Sequence, residues 1–194
     1  MIKLPDKAAL LRQAQPGRAH WPARPADLTP EPAAPGEESV WDYPRPPVIR
    51  PAGASVRIEF GGEIIAHSDR AVKVCETAGA PVYYIPPDDI AMEFMEPRSH
   101  AISVCEWKGA AIYYDIVAGG RRAHEAAFSY PDPFDDLDEG YAAIAGWLGF
   151  YAGRVDAAWL GEERARPQDG GLYAGWVTSN IKGPIKGGPG TGHW

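Results

Sequence analysis

Cysteine is scarce. The 194 residues hold only Cys75 and Cys105, and two thiols thirty positions apart cannot complete a tetrahedral zinc site by themselves. A disulfide scaffold is also excluded in the reducing compartment where a chain of this kind is expected, so both are read as free thiols. Long apolar runs are missing as well: none approaches the roughly 20 residues a membrane-spanning helix needs. The start, Met1-Ile2-Lys3-Leu4-Pro5-Asp6, has no apolar signal core. The expected location is therefore the cytoplasm, away from membranes. Positive charge is in deficit. Residues 39–166 carry 12 basic and 20 acidic side chains, the first 38 residues balance at 5 and 5, and the tail is +1, which together make the net charge of -7. An acidic body repels phosphate backbones, so nucleic acid is not an expected partner. His67, His100 and His124 are scattered, with no histidine near Cys105 in sequence, and no Ser-His-Asp triad can be assigned from them. Gly188-Pro189-Gly190-Thr191-Gly192 has the look of a phosphate loop but lacks the Lys-Ser/Thr pair and a following helix. No cofactor or metal is expected.

The length suits one domain with appendages. Residues 1–38 form a Pro- and Ala-rich arm. Asp6 can cap a short helix over residues 7–14 that Pro16-Gly17 ends; the remainder is extended. Two readings stand for it: a mobile leader, or a docking arm with Leu10, Leu11 and Trp21 as anchors. Residues 39–166 are the globular body. Val56-Arg57-Ile58-Glu59-Phe60 alternates apolar and polar, Gly61-Gly62 supplies a tight turn, and Glu63 to Ser68 resumes the run, which is a β-hairpin pattern. Further strands are expected at 71–75, 82–85, 92–95, 102–107, 111–117, up to Ser129-Tyr130, and at 155–159. Leu137, Tyr141, Ile144, Leu148 and Tyr151 recur at helical spacing and predict a helix over 137–151 that covers the sheet, with Asp132, Asp135, Asp136, Asp138 and Glu139 at its N-terminus, where the dipole favours acids. The fold class that results is mainly β: an antiparallel sheet or half-barrel with one covering helix and extended N- and C-terminal arms. Residues 167–194 are too rich in Gly and Pro for a helix or a central strand. With Trp176 and Trp194 as anchors this tail lies across the body or a neighbouring subunit, or else is disordered.

One stretch concentrates chemistry. Cys105-Glu106-Trp107-Lys108-Gly109 places a thiol, a carboxylate, an indole and an ammonium at a hairpin tip, and Cys75-Glu76-Thr77 echoes it upstream. In one reading the concave face of the sheet binds a small molecule: Tyr84, Trp107 and Tyr114 form aromatic walls, and Glu76, Cys105 and Lys108 supply polar contacts. If the site is catalytic, Cys105 is the nucleophile or Glu76 the base, with Lys108 lowering the thiol pKa or stabilising negative charge. Parity along the strands leaves open whether Tyr83 or Tyr84, and Tyr113 or Tyr114, faces the cavity. In the second reading the body is a structural or adaptor module whose arms bind a protein partner or a second copy, and the cysteines are small buried hydrophobes.

Several segments, taken in order, carry a family resemblance: Val40-Trp41-Asp42-Tyr43-Pro44-Arg45-Pro46-Pro47, Glu76-Thr77, Pro81-Val82-Tyr83-Tyr84-Ile85-Pro86-Pro87-Asp88-Asp89, Cys105-Glu106-Trp107-Lys108-Gly109, Tyr130-Pro131-Asp132-Pro133, and Phe150-Tyr151 with Arg154-Val155-Asp156. Over about residues 39–160 the chain resembles the bacterial and fungal family known as domain of unknown function 427. The resemblance implies a small β-tent-like domain similar to methionine sulfoxide reductase type B and the cereblon ligand-binding domain. The paired CxxC zinc knuckles of those proteins are absent here, so neither their metal nor their activity carries over.

Overall fold

A computed structural model of the chain describes residues 2–19, 24–138, 140–191 and 194, with the side chains of residues 99–101 left out. Trp21, a proposed anchor of the arm, and the side chain of His100 lie outside the described residues. In chain order the elements are α1 (Lys7–Arg18), β1 (Glu38–Ser39), β2 (Val48–Pro51), β3 (Val56–Phe60), β4 (Glu63–Ser68), β5 (Val72–Cys75), β6 (Val82–Ile85), β7 (Met95–Cys105), β8 (Gly109–Ala118), β9 (Arg121–Ser129), β10 (Leu148–Phe150), β11 (Ala157–Leu160), β12 (Glu163–Arg164), β13 (Arg166–Pro167), β14 (Trp176–Val177) and β15 (Ile181–Lys182). The protein is mainly β, its two larger sheets are antiparallel, and among the described residues no barrel closes.

A seven-stranded sheet runs β2-β5-β6-β10-β9-β8-β7, and a four-stranded sheet runs β12-β11-β3-β4. Their facing sides share the main core. Val56, Ile58 and Phe60 alternate inward from β3 as the Val-Arg-Ile-Glu-Phe pattern requires, and meet Ile85, Ile116 and Phe150 from the larger sheet. The segment 92–95, expected as a strand, begins as a 3₁₀ turn at Met92–Phe94 and enters the long edge strand β7 at Met95. Pro97 is tolerated there because an edge strand leaves one row of backbone N–H groups unpaired.

The helix expected over 137–151 does not form. A 3₁₀ turn at Tyr141–Ile144 precedes β10, which fills the place between β6 and β9. Glycine is the physical reason. Gly140 and Gly146 hold φ of 68° and 73°, left-handed conformations that end helices. The apolar spacing still buries Tyr141, Ile144 and Leu148, but through a turn and a strand. Three of the acids expected to cap that helix, Asp132, Asp135 and Asp136, do something else, and Glu139 lies outside the described residues. Lys7 Nζ donates to Asp132 at 2.9 Å and to Asp135 at 3.1 Å, and Arg18 Nη1 reaches Asp136 at 2.6 Å. They hold α1, the one α-helix among the described residues, against the sheet.

Asp6 caps α1, accepting from Ala9 N at 2.7 Å as expected. The helix runs through Pro16 to Arg18 rather than stopping before the proline. Its last turn is secured from outside: besides Asp136, Arg18 donates Nε to the Glu106 carbonyl at 2.5 Å and lies 5.4 Å from the Trp107 ring. Leu10 and Ala14 pack on Ala110 and Phe134. The tail beyond 167 also lies on the chain's own strands. Trp176 is fully buried, stacks 4.9 Å from Tyr83 and donates Nε1 to the Phe150 carbonyl at 2.8 Å. β15 pairs in parallel with β1, and Trp194 sits 5.5 Å from Trp41.

On β8 the register with β9 shifts between Tyr114 and Ile116. Glu125 adopts φ 48° at this point, and Asp115 Oδ1 accepts its N–H at 2.9 Å. Burial works against the Asp115 carboxylate, but that N–H, Arg122, Arg98 and His124 outweigh it and hold its pKa below the usual value. A depressed folded pKa contributes stability that is present above the unfolded pKa and lost as pH falls through the folded one. The stability difference between wild type and Asp115→Asn, read by urea unfolding across pH, is expected to be constant above about pH 5 and to shrink below the unfolded carboxyl value of about 3.9. A difference that does not change with pH would show that the carboxylate's charge is not what holds the bulge.

Candidate functional site

The larger sheet is covered on both faces. On the face turned away from the main core, register places Val72, Tyr84, Gly149, Phe128 and Tyr113 in one row across β5, β6, β10, β9 and β8. Period-two alternation puts Val74, Val82, Tyr130 and Ala111 on the same face, one row along. The row of aromatics has a gap at Gly149. Phe128 leans into it so closely that a Cβ on residue 149 would lie 2.7 Å from Phe128 Cζ. Around Phe128 the rings of Tyr84, Tyr130, Tyr113 and Tyr151 lie 5.9, 6.0, 6.3 and 5.5 Å away. These rings floor a cavity of about 480 Å³.

The roof comes from the tail. Gln168 is buried, and its amide joins both sides: Oε1 accepts from Ala80 N and Nε2 donates to the Lys186 carbonyl, each at 2.9 Å. Lys186 N in turn donates to Ala78 O at 2.8 Å. Gly175 passes against Ala80 where a Cβ would lie 2.7 Å from the Ala80 carbonyl oxygen, so only glycine fits that approach. Tyr173, Ala174, Lys186 and Trp194 complete this wall, with Leu172 at the rim.

Four of the six residues singled out in sequence border this cavity, namely Glu76, Tyr84, Cys105 and Lys108. Trp107 and Tyr114 do not. The Trp107 ring is buried beneath the Arg18 guanidinium, and Tyr114 packs on the main core. Strand parity resolves one way on each strand: Tyr84 and Tyr113 face the cavity, whereas Tyr83 is turned to Trp176 in the main core. Sequence reasoning missed Phe128, Tyr130, Gln168 and Lys186. The period-two spacing of Phe128 and Tyr130 was a usable signal; nothing local marks Gln168 or Lys186.

The charges are arranged unequally. Glu76 Oε1 receives Arg45 Nε at 3.3 Å and lies 3.5 Å from Lys186 Nζ, so it is held between two cations. Lys108 leaves the β7–β8 hairpin tip and turns inward, only 7% exposed, with Nζ 5.6 Å from the Tyr130 ring centre. Among the described residues no carboxylate lies within ion-pair distance of that ammonium and none accepts a hydrogen bond from it. Burial disfavours its charge; against burial stand the acidic groups around it, Cys105, Tyr84 and Glu76 foremost, which raise its pKa, although the thiol and the phenol exert that pull only when ionised, above neutral pH. Burial likewise raises the Tyr84 and Tyr130 phenols. At neutral pH the cavity therefore presents an ammonium and two protonated hydroxyls, neither of which is hydrogen-bonded to another described residue. All three are donors, which is the chemistry that receives an anion.

The two thiols differ. Cys75 is fully buried, and burial pushes it up to about 11, whereas Cys105 is part-exposed on the cavity wall. One thiol per native chain is expected to react promptly with a thiol-specific disulfide reagent, and Cys105→Ser is expected to remove that reaction, with Cys75 appearing only on unfolding. Prompt labelling of Cys75 in the Cys105→Ser protein would contradict its burial.

Among the described residues no helix is long and apolar enough to cross a membrane. No curated protein matches the chain. A family model matches residues 48–161, the segment that supplies the sheet, the aromatic floor and Lys108, while the roof from Gln168 onward lies outside the matched residues. That segment is more than half of the chain, which therefore belongs to the family described as Domain of unknown function (DUF427).

Proposed function

We propose that the protein binds a small anionic molecule in the cavity on the outer face of its seven-stranded sheet. The observation that carries this reading is Lys108: an ammonium buried to 7% exposure, bordering a cavity of about 480 Å³, with no carboxylate of the described residues within ion-pair distance. Burying a charge without a partner is costly in any fold, and a bound anion offsets that cost. The Tyr84 and Tyr130 hydroxyls supply further donors, and the aromatic floor supplies contact area, as ligand sites commonly combine them. The adaptor reading gains no comparable support. The helix and tail it would use are packed on the chain's own sheet. Cys105 borders the same cavity, so its thiol would stand on the wall beside a ligand seated on Lys108.

Lys108→Met keeps the length of the side chain and removes the charge. A thermal-shift screen of carboxylates and phosphates is expected to find compounds that raise the Tm of wild type by mass action, with the shift lost in Lys108→Met. The variant alone is expected to be as stable as wild type or more so, because an uncompensated buried charge has been replaced by an apolar group. A ligand whose shift survives the substitution would refute the site.

A further inference from the structure

We infer that the anion is a monocarboxylate with an apolar tail, its head on Lys108 and its tail running over the aromatic floor to the rim at Leu172. This rests on the anion-binding reading above and narrows it to a chemical class. Charge sets the head. Two ammonium groups line the cavity, Lys108 and Lys186. Lys186 lies 3.5 Å from Glu76, whereas Lys108 has no carboxylate within ion-pair distance among the described residues. A single-charged head matches Lys108. A dianion would bring a second negative charge to a cavity whose other ammonium is already shared with Glu76.

Apolar surface sets the tail. Tyr84, Phe128, Val82 and Val74 line the same cavity as Lys108 and give it an apolar surface. At its mouth stands Leu172, on the roof and 73% exposed. An alkyl or aryl tail leaving the floor would pass beneath Leu172 and remove it from water. A fully polar small anion would leave it as exposed as before.

The test is isothermal titration of the full chain with acetate, butanoate, hexanoate and octanoate, with benzoate as an aryl arm and hexanedioate and inorganic phosphate as dianionic arms. Affinity is expected to rise about fourfold per added methylene between butanoate and octanoate, the increment for a buried methylene. Benzoate is expected to exceed acetate, and hexanedioate to bind more weakly than hexanoate. Leu172→Ser, at a position exposed enough not to affect folding, is expected to flatten the octanoate end of the series and leave butanoate unchanged. If phosphate or hexanedioate binds as tightly as octanoate and does so through Lys108, the apolar tail is overturned while the anion site stands. If no anion binds, or if Lys108→Met leaves every affinity unchanged, the anion site falls and the tail with it. Should Lys108→Met not fold, the chain-length series and Leu172→Ser still decide, because neither needs that substitution.

Discussion

The contact on which the site depends is Trp176. Its indole is fully buried between the sheets, stacked on Tyr83 and bonded to the Phe150 carbonyl. Burying an aromatic of that size contributes several kcal/mol, enough to hold a Gly- and Pro-rich segment with little secondary structure of its own. Once Trp176 is in place, the chain on either side of it must cross the outer face of the larger sheet. Gln168 and Lys186 then lie over Ala80 and Ala78, and an exposed aromatic surface becomes a roofed cavity. Without that anchor Tyr84, Phe128 and Tyr130 would form an open apolar patch of the kind that soluble proteins seldom leave uncovered.

A second constraint is the glycine at 149. In a central strand it forgoes a side chain and costs conformational entropy. Here the missing Cβ admits the Phe128 ring, which lies between Tyr84 and Tyr113 and makes the floor continuous. The same glycine, with Gly140 and Gly146, argues against the helix that the apolar spacing suggests. Loss of the helix and formation of the floor thus share one cause.

The acidic composition of the body takes on a different meaning in three dimensions. Asp132, Asp135 and Asp136 neutralise Lys7 and Arg18 and fasten α1 beside the hairpin tip. Arg18 covers Trp107 and thereby fixes the turn from which Lys108 reaches inward. An acidic chain with a net charge of -7 nevertheless carries in that cavity an ammonium, Lys108, with no carboxylate of the described residues within ion-pair distance.

Period-two alternation in 56–60 and 63–68, the Gly61-Gly62 turn and the chain of short strands were enough for a mainly β, antiparallel fold, since those signals are local and depend only on backbone geometry. Local chemistry also singled out Lys108, Cys105, Glu76 and Tyr84, because charged and aromatic side chains at strand ends and hairpin tips stand out from their neighbours. Which tyrosine of each pair faces the cavity was open, since parity is fixed only by register against the neighbouring strand. Trp107 looked like a platform for a ligand; only the position of α1, 89 residues earlier at Arg18, shows that its ring already has a cover. The helix over 137–151 was misread because spacings of 3 and 4 fit a 3₁₀ turn leading into a strand as well as they fit a helix. The roof was illegible for the same reason in its strongest form. Gln168, Gly175 and Lys186 acquire their roles solely by lying opposite Ala78 and Ala80, and contacts between segments about ninety residues apart are decided by the packing of the whole core, not by anything in either segment.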